Sequence, residues 1–350
     1  MSLRPGPVVL LSSGETAPSG RRVMEWLLNQ WPPSVRIALL ETPAGFQPNS
    51  ELVAEKVADF VRHHLQNHQP QVDVVPARKL GTAFSPDDAE IVAPLRQADI
   101  IYAGAGSPTY AVRQLINTLT WRTLLARHRQ GAGVVFASAT TIAASAQALP
   151  VYEIYKVGED LHWMPGLDFF GAYGLPLALV GHWDNKEGGA DLDTSRGFVG
   201  QARFEEMRAK LPPEVKVVGI DEHTALIVDF EASMCHVMGL GGVTLCRQEE
   251  EHRYLDGETF PITELGSFAM PDLRSGIPED VWRQVEEAQR HRQAEGPAGP
   301  SAEVVALAEQ REAARAQRDW NQSDALRDQI AAHGWQVRDT PDGPELVPLD

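Results

Sequence analysis

A serine set between a buried strand and a helix presents its hydroxyl at the helix N-terminus, where a neighbouring base can turn it into a nucleophile. Residues 133–142, Gly-Val-Val-Phe-Ala-Ser-Ala-Thr-Thr-Ile, offer that arrangement: an apolar strand runs straight into Ser138, and small residues follow. A second junction, residues 102–110, reads Tyr-Ala-Gly-Ala-Gly-Ser-Pro-Thr-Tyr. A glycine-containing turn at a helix start exposes backbone N–H groups that hold an anion or an oxyanion. The plainer readings are a serine that caps an ordinary helix and a loop that needs glycine for its backbone angles. Other chemistry is poorly supplied. With only Cys235 and Cys246, neither a disulfide framework nor a four-cysteine zinc site can be built. His64 and His68 fall on one helix face, but without a third nearby ligand they read as a surface pair. No metal and no cofactor are expected.

These junctions need elements to position them. Residues 8–11, 35–40, 72–75, 100–103 and 134–137 are short aliphatic runs, too apolar to leave one face in water. Between them lie amphipathic stretches at residues 21–30, with Met24, Leu27 and Leu28 on one face, and 51–65, with Val53, Val57, Phe60 and Val61 at helical spacing. Buried strands alternating with helices predict an α/β fold: a doubly wound, mostly parallel sheet covered on both faces, with ligands at the carboxyl ends of its strands. After residue 214 the rhythm changes. Residues 215–218, 225–230, 235–238 and 243–246 are joined by tight turns, which predicts antiparallel hairpins that finish the sheet.

The chain of 350 residues is 43% hydrophobic and 23% charged, enough for a sizeable core and too apolar for a disordered protein. Its net charge of −17 speaks against a broad basic surface that grips a polyanion. The apolar run near the N-terminus is too short for a signal peptide and no stretch would span a membrane, so a cytoplasmic protein is expected. Residues 1–270 read as one α/β domain, 271–301 as a linker with a charged helix, and 302–350 as a separate small module. The linker is clearest at Glu-Gly-Pro-Ala-Gly-Pro, residues 295–300. In the module, an alanine-rich helix at 302–318 precedes a second at 323–333 capped by Ser323, and Trp335 opens a small strand. Leu326, Ile330, Trp320 and Trp335 would pack this helical hairpin.

The order of elements, the glycine turn and Ser138-Ala139 after a buried strand resemble the cyanophycinase and aspartyl dipeptidase (dipeptidase E) family of serine peptidases, which share the class I glutamine amidotransferase-like, flavodoxin-like fold. The likeness spans about residues 7 to 247. It includes Gly219-Ile220-Asp221-Glu222-His223-Thr224-Ala225, close to the family's acidic run, and Leu179-Val180-Gly181-His182 at the end of an apolar strand. The resemblance implies Ser138 as nucleophile, His182 as its general base and Glu222 as the group orienting the imidazole, with Asp221 and Asp184 as competing acids. It implies an oxyanion hole from Gly106 and the amide of Ala139. Phe136 and Thr140 stand where the family has glycines. The arginines that follow the histidine in some relatives are replaced by Trp183-Asp184-Asn185-Lys186-Glu187-Gly188-Gly189, with Arg196 and Arg203 further on. Ser107, Asp184, Asn185, Arg196, Arg203 and Glu153 are the candidate substrate contacts; Glu153 leads a segment, with Tyr155 and Lys156, that would line a pocket. A glutaminase would need a cysteine at the elbow, and neither cysteine is near it.

Residues 309–330, with Arg-x-x-x-Arg spacing and Asp-Trp-x-x-Ser-Asp-x-Leu-Arg-Asp, resemble the extreme C-terminal segment of cysteinyl-tRNA synthetases. The class I synthetase catalytic signatures are absent, so the chain is not expected to be a functional synthetase. Across residues 302–350, five arginines oppose ten acids, a poor balance for phosphate contacts unless the arginines cluster. Two readings follow: a serine peptidase or amidase acting on a small peptide or amide, or a catalytically inactive binding or regulatory protein linked to tRNA or translation through its tail. A homodimer is compatible with either.

Overall fold

Runs with no polar side chain to offer water become strands, and runs with a single apolar face become their covers. In the computed structural model, residues 4–247, 250–295, 302–340 and 343–348 are described. The chain opens with β1 (Val8–Leu11), α1 (Pro18–Leu28), β2 (Arg36–Leu40), α2 (Ser50–His64) and β3 (Gln71–Val75). It continues through β4 (Ile100–Ala103), α3 (Pro108–Leu115), α4 (Leu119–Arg129), β5 (Gly133–Ala137) and the short α5 (Ala139–Ala143). Next come the small pair β6 (Gln147–Ala148) and β7 (Met164–Pro165), then β8 (Leu177–Val180), α6 (Gln201–Arg208) and β9 (Lys216–Ile220). The body closes with β10 (Thr224–Asp229), β11 (Met234–Gly239), β12 (Gly242–Arg247), β13 (Glu250–Leu255), β14 (Thr259–Pro261) and α7 (Glu279–Glu295).

The main sheet has eight strands in the order β14-β11-β10-β1-β5-β4-β2-β3. Its β1, β5, β4, β2 and β3 run parallel, while β10 is antiparallel to β1. The antiparallel strands expected to finish this sheet are shared between two. β10, β11 and β14 extend it, whereas β9, β12 and β13 join β8 in a second, four-stranded sheet. The reason lies in β8. All four of its residues are buried, so it needs cover on both sides: Leu177 and Leu179 face the core shared with the main sheet, and Ala178 and Val180 face a second core with Trp183, Phe204 and Met207. β3 also departs from the expectation of strands buried on both faces. It has one neighbour, β2, and as an edge strand it leaves Gln71 and Asp73 exposed.

Of the helices that cover the main sheet, α1 buries Val23, Met24, Leu27 and Leu28, as its spacing predicted. The buried stripe of α2 is narrower than expected. Ala54, Ala58 and Val61 touch the sheet, and Val53, Val57 and Phe60 flank them half-exposed. Two alanines let the helix sit close, which turns the larger valines sideways. α7 lays Val281, Trp282 and Val285 against Ala126 of α4, and Arg292 in its last turns grips Asp99 with two hydrogen bonds of 2.6 and 2.7 Å.

His128 of α4 is fully buried among Phe169, Tyr173 and Phe230, with Nε2 2.7 Å from the Tyr173 hydroxyl. Burial, and then the charge of Arg129, pushes its pKa down to about 3. In the unfolded chain the same ring takes a proton near pH ~6.5. Between those values the unfolded state binds more protons, so stability falls as pH drops through this window. Between pH 7.5 and 5, wild type is expected to lose about 2 kcal/mol more than a His128→Phe variant, measured as the shift of the urea midpoint.

The tail comprises α8 (Ala302–Ala316), α9 (Trp320–Ala332), β15 (Trp335–Thr340) and β16 (Gly343–Pro348). Val304, Ile330 and Trp335 form its small core. α9 starts three residues before the expected cap: Asp319 caps it by accepting the Gln322 N–H at 3.0 Å, and Ser323 is buried inside. Trp320, expected to pack the hairpin, is exposed. Within the linker expected at 271–301, residues 279–295 form α7, which packs on α4, and residues 296–301 lie outside the described residues. The Gln69 side chain donates to the His333 carbonyl, so the tail touches the body just before β3.

Candidate active site

The corner between β5 and α5 is strained. Ser138 has φ 52° and ψ −107°, a combination that L residues avoid. Such a conformation costs about 1–3 kcal/mol and persists only where its surroundings over-determine it. Here they do. The Ser138 N–H donates to Leu11 O at 2.8 Å, which continues the pairing of β5 with β1. Thr140 accepts the Ala137 N–H at 2.9 Å and donates to Ala103 O, and Thr141 donates to Leu11 O and Phe136 O, both at 2.9 Å. The two positions that lack glycine are thereby accounted for. Thr140 sits in α5 at negative φ and its hydroxyl ties the corner down. Phe136 points into the core, edge-on to Phe169.

His182 follows β8, itself at φ 53°, and its N–H is held by Ser12 Oγ at 2.7 Å. Its Nε2 lies 3.1 Å from Ser138 Oγ, and its Nδ1 lies 3.1 Å from Glu222 Oε1. Phe198 packs against the ring, with centroids 5.3 Å apart. Glu222 follows β9, and its Oε1 also accepts Asn185 Nδ2 at 2.7 Å. The hydrogen bond from His182 outweighs partial burial and, with the Asn185 amide, holds the Glu222 carboxyl below the usual carboxylate range. Hydroxyl, imidazole and carboxylate thus form one continuous hydrogen-bonded chain, the relay of the sequence expectation.

The competing acids have other partners. Asp221 is fully buried; it pairs with Arg253 and accepts the Gly242 N–H at 2.7 Å. Burial pushes its pKa up. Asp184 Oδ1 accepts the Glu222 N–H at 2.7 Å, so it positions the backbone of the acid that faces the ring. Asn185, proposed from sequence as a substrate contact, spends its amide on Glu222 and its carbonyl oxygen on the Glu187 N–H.

The glycine turn lies beside this corner because β4 and β5 are neighbours, with Ala103 paired to Phe136. Gly106 is required by close approach: a Cβ there would lie 1.9 Å from Pro43 O. Ser107 caps α3 by accepting the Tyr110 N–H at 3.2 Å. Ala139 opens α5, and a first-turn N–H has no acceptor within its own helix. Glu153 accepts Thr109 Oγ1 at 2.9 Å, which links its segment to α3. Tyr155 packs on Phe198 at 5.5 Å and carries Lys156 over its ring at 4.9 Å.

Both arginines make local contacts. Arg196 stacks on the Trp183 ring at 3.9 Å and approaches Glu251 at 3.7 Å, while Arg203 Nε donates to Val199 O at 2.7 Å. His64 packs on Phe60, and among the described residues no group of three His, Cys, Asp or Glu is placed to hold a metal. Cys235 and Cys246 are buried in β11 and β12, with burial pushing both thiols up. Sequence reasoning missed Ser12, Thr140 and Phe198 as supports of the relay. For Ser12 the signal was there, at the carboxyl end of β1.

The crystal structure of a peptidase from an acI-B1 Actinobacterium superposes on this chain with a TM-score of 0.59 at 20% identity, covering 73% of this chain and 97% of that one. The body has a peptidase's fold. Residues 298–344 match the family model of the cysteinyl-tRNA ligase anticodon binding domain. Over the same region the chain is 46% identical across 46 residues to the cysteine–tRNA ligase of Chlamydia caviae, and 50% identical across 44 residues to that of Chlamydia abortus. These matches take in 13% of this chain and only 10% and 9% of the two ligases. Among the described residues, no helix is long and apolar enough to cross a membrane.

Proposed function

We propose that residues 1–270 form a serine hydrolase, a peptidase or amidase acting on a small peptide or amide. The observation that carries this is the strained Ser138 with its hydroxyl 3.1 Å from His182 Nε2. A serine hydroxyl is a weak nucleophile until a base takes its proton. Ser138 Oγ attacks the substrate carbonyl while His182 Nε2 accepts the hydroxyl proton. Glu222 fixes the ring with Nδ1–H towards itself and stabilises the imidazolium. The N–H groups of Gly106 and Ala139 receive the oxyanion. His182 then gives its proton to the leaving amine, an acyl-serine remains, and water attacks it by the same route. A fluorophosphonate probe tests the reading: it should label the wild-type chain and spare Ser138→Ala. No labelling, or labelling that survives the substitution, overturns it.

The family match at residues 298–344 favours a second role for the same chain. We infer that the tail, taken as a module of residues 302–350 after a linker at 271–301, contacts tRNA or a translation-related partner, without making the chain a synthetase. Arg318, Arg327 and Arg338 are exposed, as is Trp320, which offers a base a stacking surface. Arg311 is buried beside Glu312 and serves the fold instead. The full chain should retard tRNA at physiological salt, weaken as salt rises, and lose several-fold in affinity on Arg327→Glu with Arg338→Glu. A chain that leaves tRNA mobility unchanged removes this role.

A further inference from the structure

A cavity of about 200 Å³ opens at the carboxyl ends of β1, β2 and β4, and no residue of the Ser138 relay lines it. Leu39, Val53 and Val57 give it apolar walls, and Gly104 of the glycine turn forms one side. Two of its polar groups are unusual. Tyr102 is 2% exposed, lines the cavity, and has a buried hydroxyl without a hydrogen-bond partner among the described residues. Glu15 lines it too, and its Oε1 is buried and equally unpartnered. Buried polar atoms in folded proteins are nearly always paired, so two orphans on one cavity point to something that completes them.

The charge balance says what that is. The other lining carboxylate, Glu41, is spent: Arg78 Nε donates to it at 2.6 Å and Ser50 Oγ at 3.1 Å. Among the described residues, Glu15 has no such cation. A carboxylate beside a phenol hydroxyl, ringed by aliphatic walls, suits a group that donates several hydrogen bonds, carries positive charge and sits on an apolar stem. We propose that this cavity binds the ammonium or guanidinium group of a small organic cation through Glu15 and Tyr102.

The placement gives this site a link to the relay. Ser12, whose hydroxyl holds the His182 N–H, and Glu15 belong to the same short loop after β1, and Gly104 accepts a hydrogen bond from Thr140 at 3.2 Å. The cation site stands without the hydrolase reading, since it needs only the cavity and its orphans. Lys56 is the rival occupant: it is exposed at the rim and carries the right charge.

The test is calorimetric titration of the full chain with n-butylammonium, n-butylguanidinium and n-butanol at physiological salt. Saturable binding of at least one cation is expected, with the neutral alcohol at least tenfold weaker. Glu15→Gln should weaken the cations at least tenfold and leave the alcohol unchanged, and Tyr102→Phe should weaken them several-fold. Both substitutions preserve shape, and an unchanged Tm shows that each variant is folded. Lys56→Ala should leave the affinity equal or higher. Equal binding of cation and alcohol, no saturable binding, or cation binding that survives Glu15→Gln as general attraction to an acidic surface would overturn the proposal. So would cation binding that appears only in Lys56→Ala, which would make Lys56 the natural occupant.

Discussion

Ser138→Ala and His182→Ala should each lower kcat/KM for a small activated ester by about 10⁴-fold or more, and the double variant should be no slower than either single one. The relay explains both parts. Once Nε2 or Oγ is gone, the remaining partner has nothing to act on, so the second loss adds little. Glu222→Gln should cost roughly 10³–10⁴-fold. An amide can present its NH₂ to Nδ1, which stabilises the wrong tautomer and leaves Nε2 protonated. Asn185→Ala should cost much less, since His182 Nδ1 still has its carboxylate at 3.1 Å. Multiplying losses in the Ser138–His182 double variant would mean two independent roles, contrary to the proposed mechanism.

Gly219→Val should be strongly damaging although it lies outside the relay. A Cβ at Gly219 would lie 2.2 Å from the Trp183 ring. The indole cannot retreat, because Arg196 stacks on it and Phe204 meets it edge-on at 5.2 Å. The Trp183 backbone N–H also donates to Ile220 O at 3.1 Å, and the residue immediately follows His182, so displacing it moves the imidazole. Overpacking of this kind costs at least about 3 kcal/mol where nothing yields, and fluorophosphonate labelling should fall with it. Trp183→Ala leaves a cavity and should cost a further ~3–5 kcal/mol by itself. In the double variant the new side chain partly fills that space, so the combined loss should be smaller than the sum. Urea unfolding of the four proteins reads the coupling, and simple additivity would show that the ring and the glycine do not constrain each other.

Much of this arrangement was legible before any coordinates. Residues 100–103 and 133–137 are too apolar for anything but covered strands, and Ser138 follows the second of them directly. What pattern reading could not decide was which of Asp221 and Glu222 meets the ring, because adjacent residues at a strand end face opposite ways and both are acids. Only the Arg253 partner, 32 residues downstream, shows why Asp221 turns inward. The split into two sheets was equally invisible: β9 and β10 are similar hairpin strands in sequence, and their partners are chosen by distant packing under β8. The cap of α9 failed for a local reason, since Asp319 and Ser323 are both good capping types and the one nearer the end of α8 won. The arginines at 196 and 203 look from sequence like ligands for an acidic substrate, and stacking on Trp183 or bonding a nearby carbonyl cannot be read from spacing.

The grip of Arg292 on Asp99 has a consequence for traffic around the molecule. Asp99 stands immediately before β4, and Gln69, which meets the tail, two residues before β3, so the C-terminal segment is moored where the parallel strands begin. Ser138 sits where they finish. A bulky guest seized at one pole therefore leaves the doorway at the other unobstructed, and the two could be served at the same time.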